Sequence, residues 1–206
     1  MELTPRPQDW TALYKLMIGS ILPRPIGWIS SIDGQGTPNL APYSFFNAVC
    51  ANPPTVLFCP MIRGMAGNHK DTLRNVRETG EFVVNIVSVP LAEAMNATAA
   101  DFPPEVDEFE AAGLAKAPSV VVRPPRVAAS LIHYECKVAQ IITIGESVGG
   151  GSVVLGEVVH LHVDDRVLIG ADKIDLNVLQ PIGRLAGSAY THVTAESLFE
   201  MRRPSA

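Results

Sequence analysis

The sequence predicts a mainly β protein: an antiparallel barrel with a few short helices. Three observations predict it. Apolar and small residues on either side of Asp33-Gly34-Gln35-Gly36 read as two strands joined by a tight turn. A second and longer pair, Arg126 to Ile144 and Ser152 to Val163, flanks Gly149-Gly150-Gly151 and reads as a long hairpin. Helical periodicity is confined to short segments, so strands pair with their neighbours and closure into a barrel disposes of the open edges. The 206 residues, 47% hydrophobic and 18% charged, can bury a sizeable core. No linker, repeat or low-complexity stretch divides them, so one domain spanning 1–206 is expected.

Taken in order, residues 9–19, DWTALYKLMIG, fit a helix capped by Asp9, with Leu13, Leu16 and Met17 on the face that packs across the barrel mouth. The next stretch, RPIGWISSIDGQGTPNLAPYSFFN from Arg24 to Asn47, mixes Trp28, Tyr43, Phe45 and Phe46 with Ser30, Ser31, Asn39, Ser44 and Asn47. A buried hydroxyl or amide without a partner costs about 1–3 kcal/mol. The mixture therefore points to a ligand that is flat, partly apolar and rich in hydrogen-bonding edges. Asn52-Pro53-Pro54 breaks the chain, and Thr55 to Met61 returns as a buried strand.

Residues 62–70, IRGMAGNHK, run into the amphipathic segment DTLRNVRETG, which has Leu73 and Val76 inward and Gly80 as its stop. A helix start with Asp71 or Thr72 as cap and Lys70 before it suits a phosphate, because free N–H groups and the positive end of the dipole face outward there. A solvated cap is the commoner explanation of such a segment. Glu81 to Val87 is a core strand with one polar member, Asn85, which either satisfies itself or presents its amide to a ligand. Residues 89–100 read as a helix with Leu91, Ala94 and Met95 inward, and the acidic, Pro-rich run after it reads as solvated surface. His160 and His162 share a strand face, but no third ligand stands at a recognisable spacing, so they read as edge-strand surface residues and no metal site is expected. His133 reads as a structural histidine. In the tail from Ile174 to Tyr190, Gly187 reads as a turn glycine or as a point of close backbone approach.

A net charge of −5 argues against nucleic acid as a standing partner. The amino terminus shows no basic leader or apolar run, and no stretch approaches the ~18 apolar residues of a membrane helix, so a cytoplasmic protein without a membrane partner is expected. Cys50, Cys59 and Cys136 are odd in number, lack CxxC spacing and read as buried, reduced thiols. There is no GxGxxG between strand and helix, no Walker motif, no HExxH and no nucleophile elbow. Any nicotinamide nucleotide must therefore dock transiently and not in a domain of its own.

Four blocks carry a family resemblance: RPIGWISS at 24–31, NLAPYSFFNAVCANPP at 39–54, KDTLRNVRETGEFVVNI at 70–86 and GRLAGSAY at 183–190. In this order they resemble the flavin reductase-like FMN-binding split barrels, a family that includes the flavoredoxins, and the likeness extends over nearly the whole chain. The resemblance implies an antiparallel split β-barrel of the FMN-binding type that forms a homodimer with FMN in a groove at the interface. It implies that Trp28, Ile29, Ser30 and Ser31, with Ala41, Pro42, Tyr43, Ser44, Phe45, Phe46 and Asn47, surround the ring and ribityl chain, Ser44 donating a hydrogen bond. By the same likeness Lys70, Asp71 and Thr72 meet the phosphate, Asn85 belongs to the site, and Arg184, Gly187 and Tyr190 approach the flavin. The implied activity is hydride transfer from NAD(P)H to the flavin, with electrons passed on to a redox protein or a monooxygenase and no side chain acting as catalytic acid or base. A flavoredoxin-like carrier that turns over NAD(P)H poorly is the alternative, and a barrel holding haem or another planar ligand is a third. Arg63, Arg123 and Arg184 are candidates for a 2′-phosphate contact. The 97–118 loop lies where the family varies with substrate, which leaves a lid role open.

Overall fold

The computed structural model describes residues 2–62 and 69–204. In chain order these form α1 (Trp10–Ser20), β1 (Arg24–Pro25), β2 (Gly27–Ile32), β3 (Pro38–Tyr43), β4 (Phe46–Ala51), β5 (Pro54–Phe58), α2 (Asp71–Thr79), β6 (Glu81–Ile86), α3 (Ala92–Ala97) and α4 (Glu108–Ala111). There follow β7 (Lys116–Ala117), β8 (Arg126–Val127), β9 (Ile132–Thr143), β10 (Ser152–Val163), β11 (Leu168–Ile169), β12 (Lys173–Ile174), α5 (Leu176–Leu179), β13 (Ile182–Arg184) and β14 (Tyr190–His192).

Seven strands make one sheet in the order β3-β2-β6-β9-β10-β5-β4, every pairing antiparallel. The sheet begins and ends on strands that are consecutive in the chain. Only Ser44 and Phe45 separate β3 from β4, yet β3 pairs with β2 and β4 with β5. A sheet whose two edges are tied by so short a link has to curl, and its inner face does collect one core. Ile29, Tyr43, Phe46, Val56, Phe58, Phe82, Val84, Cys136 and Val154 meet there from all seven strands, with Leu73 and Val76 of α2 packed among them. Phe58 sits against Tyr43 and edge-on to Phe82, both at 5.1 Å. The slit between β3 and β4 is where the barrel stays open, and Pro38 and Pro42 on β3 suit it: an edge strand can give up the N–H groups that proline lacks.

All six residues of β2 are buried, because a second core covers its outer face. Trp28 joins Ile26, Leu40, Val87, Leu91, Met95, Phe109 and Val127 beneath α3 and α4. A small ribbon, β1-β13-β14, pairs Arg24 with Arg184 and Arg184 with Tyr190, which brings the C-terminal block onto the start of the opening hairpin.

Several expectations are corrected. Asp9 precedes α1, but its carboxylate bonds to Arg6 and caps nothing. Leu13 is half-buried as expected, but Leu16 and Met17 are each half exposed at 50% and no residue of α1 is fully buried; Trp10 and Tyr14, themselves well exposed, join Leu13 and Met17 along the cleft. The N-cap of α2 is Lys70, neither Asp71 nor Thr72. The long hairpin strand starts at Ile132, since Arg126–Val127 pairs separately with Lys116–Ala117. His160 and His162 keep an edge position, since β5 covers only Val154 to Glu157 of β10, but both are half-buried and His162 bonds to Glu135. The acidic run is not all surface: it folds into α4, which buries Glu108 and Phe109. Cys50 is exposed and Cys59 half-buried, so only Cys136 fits the buried-thiol reading.

Gly80 ends α2 as read, with φ +70° and its N–H donated to Val76 O at 3.1 Å. Gly80→Ala is expected to destabilise the fold by about 1 kcal/mol, because a Cβ disfavours this left-handed cap. Thermal unfolding measures it; an unchanged Tm removes the cap as a stability determinant.

Candidate functional site

The split in the barrel leaves a cleft whose floor is the strip Pro42–Phe45. Its central part, about 370 Å³, is walled by Trp10 and Tyr14 of α1, by Cys59, Met61 and Ile62 beyond β5, and by Gly149 of the β9–β10 turn. Gly149 has φ +86°, and a Cβ there would stand 2.8 Å from the Trp10 ring, so the absence of a side chain lets α1 dock. Lys70 and Asp101 close one end, with Lys70 Nζ 3.1 Å from Asp101 Oδ1. Beside them a pocket of about 60 Å³ continues over Asn39, Ala41, Asp71, Thr72, Thr98, Ala99, Ala100 and Glu108. At the other end, sharing Tyr14, Pro42 and Ser44 with the central part, a recess of about 230 Å³ reaches Met95, Asn96, Arg184 and Tyr190.

Each end has its own chemistry. At the Lys70 end, the N–H groups of Leu73 and Arg74 are the first in α2 to return to Lys70 O, so that of Thr72 precedes the intrahelical ladder. The dipole and Lys70 bring positive charge to this end, set against the carboxylates of Asp71, Asp101 and Glu108 that line it. Beneath it runs a buried polar chain. Thr72 donates its hydroxyl to Asn39 Oδ1 at 2.6 Å, and the Asn39 amide donates to Glu108 Oε1 at 2.6 Å; Leu40 N–H donates to Glu108 Oε2 at 2.9 Å. Burial pushes the Glu108 carboxyl above its ordinary pKa, opposed by those hydrogen bonds. The Thr72 proton is thus engaged, and what Thr72 offers a phosphate is its backbone N–H. At the far end, the Arg184 guanidinium lies 4.3 Å over the Tyr190 ring, and Tyr190 donates to Asn96 Oδ1 at 3.1 Å.

A cationic helix start, a hydroxyl at Ser44 and aromatic or apolar walls in one cleft form a donor set that fits a phosphorylated, planar cofactor. The family model of the flavin reductase like domain matches residues 18–172. The chain belongs to that family. The chain is 39% identical to a protein of Aquifex aeolicus over 95% of its own length and 97% of that protein's. Among solved structures it is similar to nitrilotriacetate monooxygenase component B from Bacillus cereus, at TM-score 0.88 and 37% identity, covering 98% of this chain and 99% of that one. It is also similar to the 2-nitrobenzoate 2-nitroreductase of Pseudomonas fluorescens, at TM-score 0.82 and 33% identity, covering 95% and 94%. The fold is that of a flavin reductase-like split barrel.

In this family member the cleft gathers Ala41, Pro42, Tyr43, Ser44, Phe45, Lys70, Asp71, Thr72, Arg184 and Tyr190. It does not gather the β2 side chains. Trp28 is fully buried and donates its indole N–H to Thr98 Oγ1 at 2.9 Å, and Ile29 fills the barrel core. Ser30 donates to Pro125 O at 2.6 Å; Ser31 accepts from the Asn75 amide at 3.2 Å. From Gly27 to Ser30 β2 pairs on both sides, so that part of its backbone is occupied as well, while Ser31 and Ile32 pair with β3 alone. Asn85 proves fully satisfied: its amide donates to Trp28 O at 2.9 Å and its Oδ1 accepts from Val127 N–H at 2.8 Å. Phe46 packs in the core, Asn47 is exposed and bonds to Ala48 N–H, and Gly187 takes φ +59° in the turn whose carbonyl accepts from Arg184.

Of the arginines considered for a 2′-phosphate, Arg123 is held by Glu81 at 3.0 Å, Arg184 lines the recess, and Arg63 lies outside the described residues, as does the rest of 63–68. The sequence reading missed Trp10, Tyr14, Asn96, Asp101 and Glu108. Trp10 and Tyr14 left a usable signal: aromatics at i and i+4 on one side of a short helix. Among the described residues no helix is long and apolar enough to cross a membrane, and no group of three or more His, Cys, Asp or Glu is placed to hold a metal.

Proposed function

We propose that this chain is an NAD(P)H-dependent flavin reductase that binds FMN in the Pro42–Phe45 cleft and delivers electrons to a separate acceptor. The observation that carries the reading is the pairing, in one cleft, of the Lys70–α2 phosphate-type end with the Ser44 hydroxyl between aromatic walls. Bound FMN supplies the hydride-accepting chemistry. The chain's part is positional. Lys70 and the Thr72 N–H hold the phosphate, Ser44 donates a hydrogen bond to the ring system, and Trp10, Tyr14 and Phe45 give apolar faces that exclude water. Arg184, stacked on Tyr190 in the adjoining recess, is placed for the anionic end of the nicotinamide nucleotide. A separate acceptor accords with the similarity to a protein named as one component of a monooxygenase.

The active form in this reading is a homodimer. Leu16, Met17, Ile21 and Leu22 leave an apolar edge of α1 exposed beside the cleft, and Leu198, Phe199 and Met201 are exposed in the tail. A second copy covering that edge would complete the wall of each site.

The test is the visible spectrum of the purified protein reconstituted with FMN, read again after NADH or NADPH is added without oxygen. Flavin bands that bleach within seconds support the reductase. Bands that persist until dithionite is added favour a carrier instead, and failure to take up FMN overturns both. Ser44→Ala is expected to weaken FMN binding roughly tenfold, the worth of one hydrogen bond. Unchanged affinity in a fluorescence titration would remove Ser44 from the site.

A further inference from the structure

Beneath Ser44 lies a buried cation that the reductase reading has not used. Arg24 is only 5% exposed, and its guanidinium holds four segments together. Nε donates to Ser44 Oγ at 3.3 Å, Nη1 to Ile18 O at 2.7 Å and Ile21 O at 3.0 Å, and Nη2 to Leu185 O at 3.0 Å. All these acceptors are neutral, and among the described residues no carboxylate pairs with Arg24. A buried guanidinium stays protonated, so a full positive charge sits behind the cleft floor. Ser44 Oγ accepts from Arg24 and donates to none of the described residues, which leaves its proton for the cleft.

We propose that Arg24 is a positioning residue and the fixed cation of the flavin site, orienting the Ser44 hydroxyl toward the bound ring and favouring reduced flavin over oxidised. The inference rests on the flavin reductase reading. Hydride transfer breaks a C–H bond of the nicotinamide and forms an N–H bond on the ring. The electron pair moves with the hydrogen, the nicotinamide leaves as a cation, and the flavin gains one negative charge. A cation in a region of low dielectric stabilises that product more than the neutral oxidised ring. The same guanidinium ties α1, which carries Tyr14, to the ribbon that carries Arg184 and Tyr190, so both walls of the recess are set from one point.

The experiment compares wild type, Arg24→Gln, Arg24→Lys, Ser44→Ala and the Arg24→Gln/Ser44→Ala pair, each full-length and reconstituted with FMN. Midpoint potential is read by spectroelectrochemical titration, together with the visible spectrum and Tm. In Arg24→Gln the preference for reduced over oxidised FMN should fall about tenfold or more, a shift of ~30 mV to more negative potential for a two-electron couple. Arg24→Lys should keep most of the potential but show the spectrum of Ser44→Ala, since an ammonium lacks the fork that fixes the hydroxyl. The Arg24 and Ser44 effects on the spectrum should be non-additive. An unchanged midpoint in folded Arg24→Gln overturns the electrostatic role, and additive spectral effects overturn the action through Ser44. If Arg24→Gln fails to fold, Arg24→Lys decides: a wild-type spectrum in that variant overturns the inference. Wild type that takes up no FMN is a different failure, that of the reductase reading itself.

Discussion

Lys70→Ala is expected to weaken FMN binding by about 1–3 kcal/mol, roughly 5- to 150-fold, while leaving Tm within a degree or so of wild type. The separation of the two effects follows from how α2 is held. Its anchors are Leu73 and Val76 in the barrel core, and among the described residues the Lys70 side chain bonds only to Asp101, at 3.1 Å. That ion pair is largely in solvent and contributes little to stability. A phosphate at the same place is worth more, because it meets Lys70 and the Thr72 N–H together. Fluorescence titration at two ionic strengths measures the effect, and the variant should show the weaker salt dependence. Affinity equal to wild type at low salt would take the phosphate away from this helix start. Asp101→Asn is the companion measurement: it removes the carboxylate that competes for Lys70 and should hold or tighten FMN.

The sequence made the hairpins readable but not the order in which they close. Alternation around Asp33–Gly36 and around Gly149–Gly151 fixed two antiparallel pairs. By contrast, β6 enters between β2 and β9 through contacts across more than forty residues, for which a single sequence offers no local sign. At the site, Pro42 to Phe45 and Lys70 were singled out through the family resemblance, since a solvated cap is the commoner reading of a basic residue before an amphipathic helix. The polar run on β2 misled for a physical reason. Ser30, Ser31 and Asn39 looked like groups in need of a ligand, and for Asn85 both readings stood open, but β2 is covered on both faces and these side chains satisfy one another and nearby backbone. A buried polar residue states that it has a partner and not who the partner is. Arg24 shows the converse, since its sequence position at a strand start conceals four acceptors on three other segments.

Stability should fall steeply in acid, beginning well above the ordinary carboxylate range, because of the β9–β10 histidine and glutamate cluster. His133 donates Nε2–H to Val127 O at 2.9 Å, and its Nδ1 is buried without a partner. Burial, with smaller contributions from Arg126 and His162, lowers its pKa to about 4, although Val127 and Glu135 favour the cation. Above the unfolded value of about 6.5 the ring is neutral in both states and nothing is linked. As pH falls below that value the unfolded chain binds a proton that the folded chain refuses, so about 3 kcal/mol is lost on the way down to pH ~4. Glu135 then extends the loss. Burial alone would raise its pKa, but hydrogen bonds from His162 at 2.6 Å and from the N–H groups of Val120, Val121 and Val122 outweigh it and bring the value to about 2. Its contribution is complete above pH ~4.5 and disappears as pH falls toward 2. The two groups are neighbours on one strand face, so their losses should not add in full. Denaturant unfolding of wild type and His133→Gln at a series of pH values between 2 and 8 separates them, since glutamine keeps a donor for Val127 and cannot titrate. The slope between pH 6.5 and 4.5 should disappear in the variant while the decline below 4.5 remains. A slope that survives unchanged would mean that a different group takes up the proton.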